Sequence, residues 1–178
     1  MIEEARLAAR PGDVLFKSGG GMWGVLAANF STRDRTYGHV GVVAETAEGV
    51  VVVIHAGGDP ASRQGRVMAS PFDEFLGASN RAALYRPRLD GARTGLLLAY
   101  AGAAAERKTP FDTGFSLDTE EALYCTELVW RALSAASGAD AVPGKSERGG
   151  RTYIALDDLQ ASPLLAPLWR SASLQAAR

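Results

Sequence analysis

Two runs of valine and isoleucine, at Val40–Ala44 and Val50–Ile54, form the strongest hydrophobic pattern in the chain. Both are rich in β-branched residues, which favour strands, and the polar connection between them ends in a glycine. This pattern predicts an antiparallel hairpin. Two shorter apolar segments predict further strands, one at Val14–Phe16 after a Pro-Gly-Asp turn signal and one at Ala82–Pro87.

Two segments in the second half of the chain have helical patterns. Ala92–Lys108 is rich in alanine and leucine and stops before a proline, which predicts a helix. A second helix is predicted through "CTELVWRALSAAS", ending at Gly138. Its apolar residues recur at i, i+3, i+4, i+7 and i+11 from Cys125, so the thiol is predicted to lie on the core-facing stripe of this helix.

The remaining segments have weaker patterns. A short helix is predicted after "SGGGMWG", ending near Ala28, and the chain from Ala139 onward is predicted to be loop and tail around a short segment near Thr152–Leu159. Strands combined with segregated helices predict an α+β fold. The length of 178 residues suits one domain, so residues 1–178 are predicted to form a single unit.

Charge and apolar content restrict the partners. Lys and Arg number 19 against 20 Asp and Glu, which argues against binding to nucleic acid or an anionic membrane. The apolar stretches are too short for an integral membrane segment, and the N-terminus has no secretory signal pattern. We therefore expect a cytoplasmic location, or a periplasmic or secreted one if the native N-terminus is missing or export is non-classical.

The chain has only two histidines, and both border the valine-rich runs. If Ala47 is the midpoint of the turn, His39 and His55 lie directly opposite each other on one face, with Cβ atoms ~4.5–5.5 Å apart. One interpretation is a catalytic base held by a second polar group; the other is two strand-end histidines bonded to local backbone. A zinc site would need a third ligand, such as Asp59 or a carboxylate from elsewhere.

The only cysteine, Cys125, excludes an intramolecular disulfide and any multi-thiolate metal site. Asp118 or Thr119 could cap its helix early, which would place the thiol in the second turn. If the helix begins nearer Tyr124, its amide groups and macrodipole favour the nucleophilic thiolate. The competing interpretation is an inert, buried structural cysteine.

Several segments together resemble a known family: "PGDVLF", "GHVGVV" followed by "VIHA", and "PFDTGF" before "YCTELVW". They are similar to the circularly permuted NlpC/p60 papain-like cysteine hydrolases, specifically the YiiX/YaeF-like branch. The order His, His, Cys is the permuted one, and the resemblance covers about Pro11–Leu133. It implies an α+β, circularly permuted papain-like fold, in which a small antiparallel sheet or half-barrel packs against a Cys-bearing helix.

The resemblance also implies roles for individual residues. It makes Cys125 the nucleophile, His39 its general base and His55 the polar residue that orients the base. Positions expected to shape the site or bind substrate are Tyr124, Asp112 and Thr126.

The implied activity is that of a thiol hydrolase that cleaves an amide bond through an acyl-enzyme, with no metal or organic cofactor. Its substrate would be a cell-wall-type peptide or a small amino-acid conjugate, and an exported toxin against cell walls would use the same chemistry. One alternative is hydrolysis or transfer of a lipid acyl group, as in the lecithin–retinol acyltransferase group. Its candidate acyl-pocket residues are Met22, Trp23, Leu26, Phe30 and Phe115. Another alternative is a binding module that has lost its chemistry.

Overall fold

The computed structural model describes residues 1–19, 31, 33–58, 65–77 and 79–172. The strands of its main sheet are β1 (Val14–Lys17), β2 (His39–Glu45), β3 (Val51–Gly58), β4 (Gly65–Pro71), β5 (Ala82–Pro87) and β8 (Leu165–Arg170). A separate hairpin consists of β6 (Ser146–Arg148) and β7 (Arg151–Tyr153). The helices are α1 (Ile2–Ala8), α2 (Phe72–Leu76), α3 (Gly91–Glu106), α4 (Cys125–Ser137) and α5 (Leu156–Gln160).

The main sheet is antiparallel throughout, with six strands in the spatial order β4-β3-β2-β1-β5-β8. Helices cover both faces, and strand residues alternate between two cores. In β1, Phe16 packs in the larger core with α3 and α4, whereas Leu15 packs in the smaller core with α2 and an alanine of α1. None of the described helices has the length and apolarity to span a bilayer.

The predicted α+β class and most of the predicted elements are confirmed. The hairpin is β2 and β3, β5 has the predicted bounds, and the two long helices differ from their predicted bounds by at most two residues. Helix α4 ends as predicted at Gly138, whose left-handed φ of 73° is the conformation that glycine adopts at a helix C-terminus. The helix predicted to end near Ala28 lies outside the described residues.

The chain's end is not only loop and tail, as predicted. Leu165–Arg170 forms β8, which pairs with β5 at the edge of the main sheet. Pro167 obscured this strand in the sequence because proline cannot donate to a ladder. An edge strand tolerates it because one side has no partner strand.

The register of the β2–β3 hairpin differs from the predicted one. Val42 lies opposite Ile54, which places the centre of the turn at Glu48 instead of Ala47. The connection still holds five residues, but it runs from Thr46 to Val50 because Glu45 pairs with Val51 and belongs to β2. The turn therefore begins one residue later than the sequence suggested, with Gly49 in the left-handed region at a φ of 78°.

The prediction that His39 and His55 are directly opposed is therefore wrong. Continuing the observed register places Gly57 opposite His39 and Gly41 opposite His55. The displacement is two residues along the partner strand. Because side chains alternate between the faces, a two-residue displacement keeps both imidazoles on one face as diagonal neighbours.

Strands β2 and β3 separate at the end that carries the histidines. Their pairing begins at Val42 and Ile54, whereas the first residues of β2 pair only with β1 and the last residues of β3 only with β4. The amide of Val43 donates to Asp13 before β1. By alternation, the amide of Val40 points into the gap between β2 and β3.

Candidate active site

The two histidines contact each other across this gap. Nε2 of His39 lies 2.9 Å from Nδ1 of His55, and the rings meet edge to face with centroids 5.0 Å apart. The glycines opposite them make room for this contact. A Cβ on Gly57 would lie 2.9 Å from Nδ1 of His55 and 3.5 Å from Nε2 of His39, and one on Gly41 would lie 3.0 Å from Cβ of His55.

Helix α2 and strand β1 enclose the imidazole pair. The Phe75 ring packs against His39 at 5.5 Å and against His55 at 5.0 Å between centroids. Lys17 pairs with His39 in the sheet, donates to the Phe75 carbonyl and lies 4.7 Å above the Phe75 ring. A phenylalanine and a lysine therefore cover the two rings.

This environment favours neutral imidazoles. Burial, and then the positive charge of Lys17, lower the pKa of His55 to about 4. Burial, repulsion from His55 and repulsion from Lys17 lower the pKa of His39 well below its usual value. Burial also lowers the pKa of the Lys17 ammonium group. At neutral pH, His39 therefore carries a lone pair and can accept a proton.

Cys125 is the first residue of α4, and Tyr124 is the residue that caps the helix. The later of the two predicted helix starts is therefore correct. The side chain is 3% exposed and lies on the predicted apolar stripe, with Leu128 and Val129 buried beside it. Burial raises the pKa of the thiol to about 11, although hydrogen bonds from the backbone of Thr126, Val40 and Cys125 itself oppose the shift.

The thiol and the imidazoles approach β2 from opposite faces. Cys125 packs in the larger core below α4, whereas both histidines lie against Phe75 on the other side of the sheet. Within the described residues, no hydrogen bond joins the thiol to His39. The link is Val40, the residue after His39, whose amide in the β2–β3 gap bonds to the thiol.

Among the described residues, the His39 ring is hydrogen-bonded through Nε2, and its Nδ1 has no partner. His55 therefore holds one nitrogen of His39 and leaves the other available to take a proton. The structure brings His39 and His55 together, and the Cys125 thiol bonds to the amide of Val40, the residue that follows His39. It does not bring the sulfur and an imidazole nitrogen into direct hydrogen-bond contact.

The predicted site-shaping residues support the start of α4. The Tyr124 hydroxyl accepts the Ile154 amide at 2.9 Å, and Thr126 Oγ1 donates to the Ile154 carbonyl at 2.6 Å. Asp112 accepts the amides of Gly114 and Ser116, each at 2.7 Å, and so shapes the loop that precedes the helix. These three residues act on the loops around Cys125 rather than on the histidines.

A small apolar pocket opens beside Cys125. Phe115, Tyr124, Thr126 and residues 153–156 line it, and its volume of about 10 Å³ is room for one water molecule. Phe115 has a φ of 50°, a strained value for a bulky residue, and its ring lies 5.2 Å from that of Tyr124. The other predicted acyl-pocket residues, Met22, Trp23, Leu26 and Phe30, lie outside the described residues.

Sequence reasoning missed several residues of the site. Ser70 of β4 lies 3.0 Å from Nε2 of His55, yet no strand was predicted there. Phe75 and Lys17 carried no signal, because a phenylalanine and a lysine at element ends are common. Glu127 is fully buried and bonds to the amide of Tyr124 at 3.4 Å. Its place three residues after the cap is a detectable signal for a capping role.

Comparisons with known proteins gave one family match and a similar solved structure. Residues 8–146 match the family model of the permuted papain-like amidase enzymes, YaeF/YiiX, C92 family. The chain is also similar in structure to the metalloprotein YiiX from Escherichia coli O157:H7, with a TM-score of 0.73 and 17% identity over 92% of this chain and 98% of that one. At this identity the likeness shows the fold alone. No curated protein matches the chain.

The donor groups seen here do not fit a metal ion. Among the residues that the structure describes, no three His, Cys, Asp or Glu side chains cluster as a metal site requires. The facing nitrogens of His39 and His55 bond to each other rather than towards a common point. Asp59, one candidate for the third ligand that a zinc site would need, lies outside the described residues.

Proposed function

Because the chain belongs to the YaeF/YiiX family of permuted papain-like amidases, we propose that it hydrolyses amide bonds with Cys125 as the nucleophile and His39 as the general base. His55 is the residue that positions the base. The observation that carries this assignment is the hydrogen bonding around His39. Its Nε2 is bonded to His55, and the thiol bonds to the amide of the next residue, Val40.

The resting site holds a neutral thiol and a neutral imidazole, because burial raises the pKa of Cys125 and lowers that of His39. The thiolate–imidazolium pair then forms only as substrate enters. For the proton to pass, Nδ1 of His39 must reach the sulfur, so the proposal requires one of the two side chains to turn into the β2–β3 gap. Such general-base activation is a recurrent way to use a weakly acidic nucleophile.

The reaction proceeds through an acyl-enzyme. Nδ1 of His39 takes the thiol proton, and the sulfur attacks the carbonyl carbon of the amide. The amide N–H of Cys125 at the start of α4 donates to the developing oxyanion. His39 then gives its proton to the leaving amine as the C–N bond breaks. Water, deprotonated by His39, hydrolyses the thioester and restores the thiol.

The pocket beside Cys125 favours a small substrate. Its volume of about 10 Å³ among the described residues gives a methyl-sized group a place beside the thiol. We therefore place peptides and amino-acid conjugates with a small residue at this position, including cell-wall-type peptides, ahead of lipid esters. The test therefore compares an amide substrate with an ester.

The test uses the full chain with alanyl-p-nitroanilide as the amide and p-nitrophenyl butyrate as the ester. We expect amide hydrolysis that is abolished in Cys125→Ala and falls at least ~100-fold in His39→Ala, since a general base contributes about 10²–10⁴-fold. Mass spectrometry of the wild type should show the aminoacyl mass on Cys125. Hydrolysis that survives in Cys125→Ala would contradict the proposal, and turnover of the ester alone would favour the lipid alternative.

A further inference from the structure

Three neighbouring strands contribute one polar group each to a hydrogen-bonded chain. Nε2 of His39 in β2 lies 2.9 Å from Nδ1 of His55 in β3, and Nε2 of His55 lies 3.0 Å from Oγ of Ser70 in β4. Ser70 has no role in the mechanism derived above. It is half-buried, so its hydroxyl reaches both the imidazole and solvent.

The register of the sheet explains why Ser70 reaches His55. In β4, Met68 lies directly opposite His55 and Ser70 lies opposite Val53. Ser70 is therefore two residues from the opposed position and on the same face, as His39 is on the other side. The sheet presents the three groups as successive diagonal neighbours.

The hydrogen bonds that join His39, His55 and Ser70 can run in either of two directions. The two directions have opposite consequences for Cys125. If Ser70 accepts from Nε2–H of His55, then Nδ1 of His55 accepts from Nε2–H of His39. Nδ1 of His39 then holds the lone pair that can take the thiol proton. If Ser70 donates instead, every proton shifts along the chain, and Nδ1 of His39 carries a hydrogen and cannot act as a base.

We propose that Ser70 is a positioning residue that accepts from His55 and thereby fixes the tautomer of His39 for proton transfer from Cys125; this inference rests on the proposed function. Only this direction persists when His39 becomes an imidazolium. Its Nε2–H must donate to His55, and Nε2–H of His55 must then donate to an acceptor. Ser70 supplies that acceptor while its own hydrogen turns to solvent.

The surroundings offer His55 little else to bond with. Phe75 faces the ring edge to face at 5.0 Å, and Lys17, the positive charge acting on it, can only donate. Among the described residues, Ser70 is the acceptor that lies within hydrogen-bond distance of Nε2 of His55. Removing its hydroxyl leaves this N–H without an acceptor among the described residues.

The first test reads the tautomers directly by ¹⁵N NMR of the imidazole nitrogens. The spectrum contains only two histidines, so assignment needs one His55 variant. In the wild type near pH 7 we expect both rings neutral and protonated at Nε2. In Ser70→Ala we expect His55 to become a mixture of tautomers. A wild-type His55 protonated at Nδ1, or one that Ser70→Ala does not change, would overturn the proposal.

The second test is kinetic. Ser70→Ala should lower kcat/KM about 10-fold through kcat, with KM unchanged, because one hydrogen bond to the developing charge is lost. Ser70→Thr keeps the hydroxyl and should stay within about 3-fold of the wild type. Ser137→Ala is the matched control, since this half-buried serine bonds to the Ala139 carbonyl at the C-terminal end of α4. An equal loss in the alanine and threonine variants would reduce Ser70 to a packing residue.

The two tests separate failure of this inference from failure of the proposed function. If no amide is hydrolysed but the tautomers shift in Ser70→Ala, the positioning role holds and the assigned reaction is wrong. If amides are hydrolysed and Ser70→Ala changes neither tautomer nor rate, the reaction holds and the positioning role is wrong.

Discussion

At the scale of single residues, the contact between the imidazoles depends on Gly57. A Cβ at this position would lie 2.9 Å from Nδ1 and 3.2 Å from Cε1 of His55, closer than carbon atoms approach without displacement. We expect Gly57→Ala to push the ring of His55 away and break its hydrogen bond to His39. Assayed on the amide substrate, kcat should fall about 10-fold or more, whereas the circular dichroism spectrum should remain that of the wild type.

The matched control is Gly102→Ala in α3, where an added Cβ meets no atom within 4 Å. This variant should be more stable by about 0.5–1 kcal/mol, because alanine favours a helix interior over glycine. Its kcat should equal that of the wild type. Equal activity in the Gly57 and Gly102 variants would show that the imidazole contact does not serve catalysis.

Lys17 sets the charge state of both histidines. Its positive charge lowers the pKa of His39 and of His55, in addition to burial. Lys17→Met keeps the apolar contact with Phe75 and removes the repulsion, so the pKa of His39 should rise. Because His39 must be neutral to act as a base, the acid limb of kcat/KM should move to higher pH in this variant.

The comparison is Lys108→Met, which removes an exposed lysine and should leave the pH profile unchanged. The measurement is kcat/KM from pH 4.5 to 8 for the wild type and both variants. A limb that stays in place in Lys17→Met would mean that another group, not His39, governs the acid side of the profile.

Residue patterns in the sequence were enough to find the histidines and the cysteine but not their geometry. Two histidines in one hairpin pointed to a pair, and the pairing is real although the register was wrong by two residues. The error came from the turn, which begins one residue later than predicted because Glu45 pairs with Val51, a shift that leaves the hydrophobic pattern unchanged. Ser70 was invisible because its link to His55 depends on which strand follows in the sheet, a long-range property.

At the scale of elements, the start of α4 is held by Glu127. This fully buried carboxylate accepts the Tyr124 amide and the Arg131 guanidinium, the latter at 2.9 Å. Glu127→Ala removes the acceptor of the Tyr124 amide and one of several partners of Arg131, which keeps Glu120 and two backbone carbonyls. We therefore expect a loss of about 1–2 kcal/mol in the free energy of unfolding, together with lower activity. Glu127→Gln keeps an acceptor and should lose much less when both are measured by urea denaturation at pH 6.

The control for this prediction is a second ion pair on the same guanidinium. Arg131 also bonds to Glu120, which is 70% exposed, and Glu120→Ala should change stability by less than about 1 kcal/mol. Similar losses in the Glu120 and Glu127 alanine variants would mean that the ion pair, not the cap, is what matters at this helix start.

The elements that the sequence predicted are those whose pattern is local. Helix α4 and strands β2 and β3 each bury a continuous stripe or run, so their periodicity survives in the sequence. Strands β4 and β8 lie at the two edges of the sheet, where one side has no partner strand and the alternation is weak. Helices α1 and α2 are too short to show a period, and tertiary packing decides them.

At the scale of the whole molecule, Cys125 of α4 packs on one face of the sheet and both histidines lie on the other. The cost of this arrangement is two imidazoles buried as neutral groups. Their pKa values are lowered in the folded state, so the unfolded chain binds more protons below its usual histidine pKa of about 6.5. Stability is therefore fully present above pH 6.5 and falls as the pH falls towards the folded-state pKa, about 4 for His55.

Glu127 acts in the opposite sense. Burial raises its pKa to about 7, so the folded state gains stability from the protonated carboxyl below the usual value near 4.5 and loses it as the pH rises through 7. Between pH 4.5 and 6.5, one unit of pH therefore changes the His55 and Glu127 contributions by similar amounts and opposite signs. Each amounts to on the order of 3 kcal/mol over its full range.

The opposite pH dependences of the histidines and Glu127 predict how the stability of the folded protein changes with pH. The lowered pKa of His39 adds to the loss of stability that His55 causes at low pH. The free energy of unfolding of the wild type should therefore decrease as the pH is lowered from 7 to 4.5. Glu127→Gln removes the compensating carboxyl, so its stability should decrease more steeply over the same range. Urea denaturation at half-unit pH steps measures both slopes. Parallel curves for the two proteins would show that Glu127 is ionised throughout and that the Arg131 ion pair outweighs its burial.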